Sequence, residues 1–557
     1  MAVEARDNSC VRSEHSDTIR STPKRTRTRG ARASRWSRQL LVSAAISAAF
    51  LAACSAGDTP RPLNVVVIVL DTLRADALGC YGYARPTSPN IDRWASAAVL
   101  FENAQSAAPW TAPSLISLMT SLYPNVHGVV TYDEPGAMNE RVVTLAESLA
   151  AQRYRTAAFT EGGYAVADFG LGQGFETYEN AEIAAREPIS DDLKSQGRLH
   201  SNVRHALNWV DAHKSEPFFL FFHSYETHTP FAAPDEHVRV FRPNWDAREE
   251  HEKLATVRRR WIDEHEIDAA GLQLLAAHRE HCAPANDLDP RGLEEKMREL
   301  NVGALDPGRL ALWRDLYDAE VRYTDAEIQP LLERLSADDL RENTVVVLVS
   351  DHGEAFGEHG RFGHGGVLHE ELLRVALIVR APNVAPRRVP DVVRTVDVMP
   401  TLLELAHATP ASHAMQGRSL VRLLDGHSLR SEPSFSHALG QRGRESRLWS
   451  VRDARWRLVW DEQQRAAQLF DLAADPGELS DVAAAHADVV ARLMGALRAQ
   501  CAMEALYVER AVGAAHSPHA DAERSRELDQ LGYVDSHASA TERGPARGLA
   551  RPSFCGN

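Results

Sequence analysis

Val65-Val66-Val67-Ile68-Val69-Leu70-Asp71-Thr72-Leu73-Arg74 is an unbroken apolar run, mostly β-branched, that stops on a carboxylate. A run without polar alternation reads as a strand buried on both faces, the kind found in parallel sheets covered by helices. Two other runs end in the same way. Phe218-Phe219-Leu220-Phe221-Phe222 leads into His223 and His228, and Val345-Val346-Val347-Leu348-Val349 leads into Ser350-Asp351-His352-Gly353-Glu354. Helical patterns lie between them, at Thr144 to Gln152 and Asn202 to His213. The pattern predicts an α/β fold, a large mostly parallel sheet with helices on both faces. Ligands of such sheets bind beyond the carboxyl ends of the strands, so Asp71, His228, Asp351 and His352 are expected to gather at one edge.

A second stretch, Pro109-Trp110-Thr111-Ala112-Pro113-Ser114 followed by Leu115 to Pro124, is written as a helix start. A hydroxyl stands near the cap, a proline lies in the first turn, and apolar residues follow at helical spacing. A plain helix cap would use Thr111 in this way. The positive end of the helix dipole would also favour its alkoxide.

Asp71, Asp351, His352 and a Thr111 alkoxide make an oxygen-rich donor set with one imidazole. It suits one divalent ion: manganese, magnesium, calcium or zinc. Such an ion would make the hydroxyl a usable nucleophile and hold an oxygen of an anionic substrate. His228 and His364, the latter in Gly363-His364-Gly365-Gly366, could donate to the substrate's other oxygens or protonate a leaving group. Arg74 is a further candidate for binding substrate. A loop histidine or a turn aspartate of no chemical use is the competing reading at each of these positions.

Among the 557 residues, 44% are hydrophobic and 25% charged, enough apolar material for a substantial core in a soluble body. Residues 1–53 differ from the rest: a basic segment precedes an uncharged stretch from Gln39 to Ala53, ending Leu51-Ala52-Ala53-Cys54. That pattern is a secretion signal too short to span a bilayer. Its ending resembles a bacterial lipobox, which implies lipidation at Cys54 and a membrane-anchored protein facing the periplasm or the cell surface. The leader's ten basic and four acidic residues, set against −15 for the whole chain, leave −21 on residues 54–557. An acidic body argues against nucleic acid as a partner. Of the six cysteines, Cys10 lies in the leader and Cys54 at its end, and the other four, Cys80, Cys282, Cys501 and Cys555, show no metal-type spacing.

An ordered series of motifs resembles the sulfatase family of the alkaline phosphatase superfamily. It runs through Leu70 to Asp76, Pro109 to Gly128, His228-Thr229-Pro230-Phe231, Tyr317 to Val321, Ser350 to Glu354 and Val396 to Thr401. It continues with Gln416 to Leu420, Leu469 to Leu472, Asp475-Pro476-Gly477-Glu478 and Leu531 to Val534. The resemblance implies the alkaline-phosphatase-like fold, a small C-terminal antiparallel domain, and hydrolysis of anionic esters of small molecules, glycans or lipids. Formylglycine sulfatases carry Cys or Ser followed by x-Pro-x-Arg, whereas here the aligned residues are Thr111, Ala112, Pro113, Ser114 and Leu115. Threonine cannot form that aldehyde, so no formylglycine is expected. Thr72 stands at the usual second aspartate, and Glu161-Gly162-Gly163-Tyr164 replaces the Gly-Lys-Trp-His segment. The set is instead similar to the superfamily's metal-dependent phosphodiesterases and phosphoglycerol or phosphoethanolamine transferases, in which threonine attacks phosphorus. Sulfuric ester hydrolysis and passive anion binding by an inactive surface lipoprotein are the alternatives.

The expected organisation is a signal segment at 1–53, a tether at 54–63, and a catalytic domain at 64–430 with a charged helical insertion at 236–307. A small subdomain at 431–534 and a tail at 535–557 follow. Leu448 to Arg452 and Trp456 to Trp460 read as strands of that subdomain, and Val482 to Leu497 as its helix.

Overall fold

The computed structural model describes residues 62–130, 136–181, 198–229, 231–246, 307–410, 415–441 and 444–508. The signal segment, Cys54, most of the 236–307 insertion, Leu531 to Val534 and the tail lie outside the described residues.

Strands β1 (Asn64–Leu70), β2 (Val99–Gln105), β3 (Arg155–Thr160), β4 (Thr177–Asn180), β5 (Phe218–Ser224) and β6 (Thr344–Ser350) begin the main sheet. A hairpin, β7 (Ala355–Phe356) and β8 (Phe362–Gly363), follows; β9 (Arg374–Val375), β10 (Leu377–Arg380) and β11 (Arg387–Arg394) complete the sheet. The spatial order is β11-β2-β10-β6-β1-β5-β3-β4, with β9 on β2. β1 runs parallel to both β5 and β6, and β3 is parallel to β5 and β4. β10 is antiparallel to β6 and β2. The sheet is therefore mostly parallel.

β1 shows why an apolar run without alternation is needed. Val65, Val67 and Val69 enter one core with helices α2 (Thr111–Thr120), α3 (Leu145–Ala150) and α6 (Val398–Leu405). Val66, Ile68 and Leu70 enter the opposite core with α1 (Pro89–Ala95), α4 (Arg198–His213) and α5 (Pro307–Leu335). Successive residues of a strand face opposite sides, and here both sides are dry.

β12 (Ser434–Gln441), β13 (Arg444–Arg452), β14 (Trp456–Asp461) and β15 (Ala466–Asp471) form an antiparallel sheet in that order, joined by α7 (Ala487–Tyr507). The expected helix at 482–497 begins later and runs further, because Ala483–Ala485 is a separate 3-10 turn. Polar residues interrupt the apolar pattern of the outer strands β12 and β15, so the sequence does not mark them as strands. Among the described residues no helix is long and apolar enough to cross a membrane.

The motifs distant in sequence hold the far end of α2. Its last turn closes on Ser121 in the left-handed region (φ 58°). Gln416 N–H donates to the Ser121 carbonyl (2.9 Å), Gly417 N–H to Ser121 Oγ (3.0 Å), and Tyr123 N–H to Gln416 Oε1 (2.8 Å). Asp397 accepts from Arg394 and from Arg418 N–H (2.8 Å).

Candidate active site

Thr111 is the first residue of α2, and Trp110, packed edge-on against Tyr164 at 5.3 Å, occupies the cap position without a side-chain cap bond. The threonine therefore does not spend its hydroxyl on the helix. Thr111 Oγ1 donates to Asp71 Oδ2 at 3.3 Å and stands 3.3 Å from His352 Nε2. All three residues are buried.

Asp71 follows β1 and Asp351 follows β6, its neighbour in the sheet, so parallel pairing brings both carboxylates to one edge. His352 Nε2 lies 3.3 Å from Asp351 Oδ2 and 3.8 Å from Asp71 Oδ1. His352 Nδ1 faces the Gly353 carbonyl at 2.9 Å. A carbonyl can only accept, so Nδ1 carries the proton and Nε2 presents its lone pair to the carboxylates.

Ligand atoms of Asp71, Asp351 and His352 lie within 4.8 Å of one another. Asp71 Oδ1 and Asp351 Oδ2 are buried without a hydrogen-bond partner. Burial pushes the Asp71 carboxyl up to about 7, against the pull of His364. Burial, then the Asp71 charge, raises Asp351 well above the carboxylate range, and burial with the nearby His364 lowers His352. Two buried carboxylates and a neutral imidazole make a site short of positive charge, which a divalent cation fits.

Thr72 completes the frame. This β-branched residue adopts φ 54°, a strained conformation. It is held by three elements: its N–H donates to Asp351 Oδ1 (3.1 Å), its hydroxyl to the Thr227 carbonyl (2.7 Å), and Tyr317 Oη to its carbonyl (3.0 Å). Thr227 Oγ1 in turn donates to the Asp71 carbonyl.

His364 and His228 also reach the site. The His364 ring lies 4.6 Å from that of His352 and 4.8 Å from that of His228. The β7–β8 hairpin returns His364 to Glu354, whose Oε2 is 3.2 Å from His364 Nδ1. Burial works against a charge on His364, but Glu354, with Asp71 and Asp351, raises its pKa overall. His228 stacks on Tyr225 at 4.2 Å, its Nε2 3.0 Å from Tyr225 Oη, while its Nδ1 meets the Thr229 carbonyl.

Arg74 is placed differently from the expectation of a substrate contact. Its Nε and Nη2 donate to Asp76 at 2.8 Å, and its Nη1 to the Glu354 carbonyl (2.9 Å) and Glu358 (2.7 Å). All three nitrogens are engaged, and the guanidinium pins the turn carrying Glu354.

Four neighbours were missed in the sequence. His223, near the end of β5, places Nε2 3.3 Å from Asp71 Oδ2, and burial lowers its pKa to about 4. The rule that found Asp71 would have found it, since β5 lies beside β1. Tyr225 lies between quoted residues and Glu354 ends a quoted motif, but both show their roles only through contacts. Glu161 is buried and accepts from Ser224 Oγ (3.0 Å) and Tyr225 N–H (2.6 Å). Burial, then the Glu226 charge, raises it well above the usual range.

The family model described as Sulfatase matches residues 63–408, more than half of the chain, and that described as N-sulphoglucosamine sulphohydrolase, C-terminal, matches 357–502. The chain belongs to the sulfatase family. Arylsulfatase K of Canis lupus familiaris is 23% identical over 467 residues, covering 80% of this chain and 83% of that one. The arylsulfatase of Clostridium perfringens is 24% identical over 454 residues, covering 75% and 90%. The fold matches a protein solved in complex with its substrate D-glucosamine-2-N,6-O-disulfate, with a TM-score of 0.61, 19% identity, and 81% and 99% of the chains covered. It also matches the phosphonate monoester hydrolase of Agrobacterium radiobacter, with a TM-score of 0.59, 20% identity, and 80% and 96% covered. This sulfatase-family chain is an ester-hydrolysing enzyme with a sulfatase-like architecture, a large mostly parallel sheet and a C-terminal antiparallel one.

Proposed function

We propose that this enzyme is a metal-dependent hydrolase of phosphate or phosphonate esters in which Thr111 is the nucleophile. The observation that carries the reading is the uncapped Thr111 hydroxyl, 3.3 Å from both Asp71 Oδ2 and His352 Nε2. Asp71, Asp351 and His352 would hold one divalent ion, which when bound acidifies the hydroxyl and neutralises the ester's anionic oxygen. Its identity among manganese, magnesium, calcium and zinc belongs to the proposal.

Thr111 Oγ1 attacks phosphorus as its proton passes to Asp71, and the positive end of α2 stabilises the developing charge. His364, held by Glu354, protonates the departing oxygen. Water then attacks the phosphothreonine, giving a proton to His364, and Asp71 returns a proton to the threonine oxygen. An alcohol in place of water would make the same steps a transfer. His223 fixes the Asp71 carboxylate, and His228 with Tyr225 lines the wall beside His364.

Phosphorus is preferred because a sulfated threonine resists hydrolysis at sulfur, whereas a phosphothreonine beside a metal is readily resolved. The names of the relatives favour the second reading, sulfate ester hydrolysis of sulfated sugars or aryl sulfates. Anchorage through a lipid on Cys54 is part of the proposal, and the mass of the mature N-terminal peptide tests it.

The deciding experiment assays residues 55–557 with manganese on aryl sulfate, phosphate monoester, phosphate diester and phosphonate monoester, beside Thr111→Ala. Phosphorus-ester turnover lost in the variant is expected. Faster sulfate-ester turnover, or activity that survives the substitution, would overturn the assignment.

A further inference from the structure

Asp475-Pro476-Gly477-Glu478 has no part in the chemistry above, yet it ends in a buried carboxylate with several partners. Glu478 Oε2 accepts from Glu370 N–H (3.0 Å) and lies 2.8 Å from His369 Nδ1. Its Oε1 sits 2.6 Å from Arg457 Nε on β14, as an ion pair. Arg457, also buried, reaches back to Glu370 and donates to Gln105 Oε1 at the end of β2 (2.9 Å). Arg452 Nε donates to Glu370 at 2.8 Å. Two side chains of the C-terminal sheet, Arg452 and Arg457, and Glu478 from the segment after β15 thus grip the turn at 369–373.

That turn rests on the proposed metal loop. Leu372 carbonyl accepts from Gly353 N–H at 2.8 Å, and a Cβ on Gly353 would stand 2.0 Å from the Glu371 carbonyl oxygen. The contact is so close that a shift of the turn must move Gly353. The Gly353 carbonyl is the acceptor that orients His352 Nδ1. A continuous set of hydrogen bonds therefore links Glu478 to the imidazole: Glu478 to Glu370 N–H, the turn to Gly353, and Gly353 to His352.

We propose that Glu478 and Arg457 are positioning residues for His352, which makes the C-terminal subdomain part of the metal site. The inference rests on the metal reading above. Outer partners of a ligating histidine set its orientation, and losing one typically costs 10- to 100-fold in metal affinity. Glu478→Gln removes the charge that holds Arg457 while keeping the side chain's shape.

The test is calorimetric titration of manganese into chelator-treated full-length protein, comparing wild type, Glu478→Gln and Arg455→Ala. Arg455 is an exposed residue of the same subdomain paired with Asp471. The expected result is a manganese Kd raised about threefold or more in Glu478→Gln, below the 10- to 100-fold of a direct partner, and unchanged in Arg455→Ala. Arg457→Lys, which keeps the charge but cannot reach Gln105, Glu370 and Glu478 together, decides the matter if Glu478→Gln does not fold, with an expected loss of about threefold or more. A wild type that binds manganese and variants that match it within twofold would overturn this inference alone. A wild type that binds none of manganese, magnesium, calcium and zinc in the same titration would overturn the metal reading and this inference with it.

Discussion

The hydroxyl of Thr111 and the carboxylate of Asp71 stand 3.3 Å apart, joining the first turn of α2 to the carboxyl end of β1. Because Trp110 fills the cap position, this contact is not a by-product of helix capping. Thr111→Ala should lower kcat by about 10³-fold or more, with the fold unchanged by circular dichroism, whereas Thr111→Ser should retain measurable turnover. Steady-state kinetics on a phosphonate monoester check it.

His364 is held to Glu354 and faces the rings of His352 and His228. If it protonates the leaving group, the loss in His364→Gln should grow with the basicity of that group. We expect about 10²-fold or more for an alkyl ester and little change for a 4-nitrophenyl ester. An equal loss on both substrates would point to a binding role.

Asp351 and Asp71 carry buried oxygens without partners, and each charge disfavours the other. Manganese at about 100 times its Kd should raise the unfolding free energy of the wild type by ~2.7 kcal/mol. Asp351→Asn should lose that response while matching or exceeding the wild type's stability in chelator, because the mutual repulsion is gone. Urea unfolding with and without the ion measures both.

Glu504 on α7 is buried, with Asn125 and Gln500 donating to it, and burial raises its pKa from 4.5 to about 7. Its folded value lies above its unfolded one. Its contribution to stability is thus whole below about 4.5 and is lost as pH rises through about 7. Glu504→Gln should be more stable than wild type at pH 8, by roughly 3 kcal/mol at most, with the difference gone at pH 4.5. Urea midpoints across that range test the sign.

Gly417 approaches the chain so closely that an added Cβ would lie 1.9 Å from the Val396 carbonyl and 2.7 Å from Ser121 Oγ. Gly417→Ala should cost about 2 kcal/mol or more and reduce kcat, because Ser121 ends the helix that presents Thr111. A variant with wild-type stability would contradict the close contact.

The strand ends and the helix start were visible in the sequence because both rest on local patterns, an apolar run closed by a polar residue and prolines around a hydroxyl. Asp71, Asp351, His352 and Thr111 could be placed from those patterns with one rule about parallel sheets. What stayed hidden depends on contacts between distant segments. Arg74 had Asp76 two residues away to suggest pairing, but Glu358 and the Glu354 carbonyl reach it only through the fold. His223 belongs to no quoted motif, and its place beside Asp71 follows from the pairing of β5 with β1. Glu478 showed itself as a motif, and its burial against Arg457 follows only from the docking of the C-terminal sheet.

The proposed reaction passes through a covalent bond at Thr111. Rapid acid quench of the manganese-loaded enzyme turning over a phosphate ester, followed by peptide mass spectrometry, tests it most directly. One phosphoryl group is expected on the peptide containing Thr111, absent in Thr111→Ala. Active enzyme with that peptide unmodified at every quench time, and oxygen label from water entering the product in a single displacement with inversion at phosphorus, would contradict it.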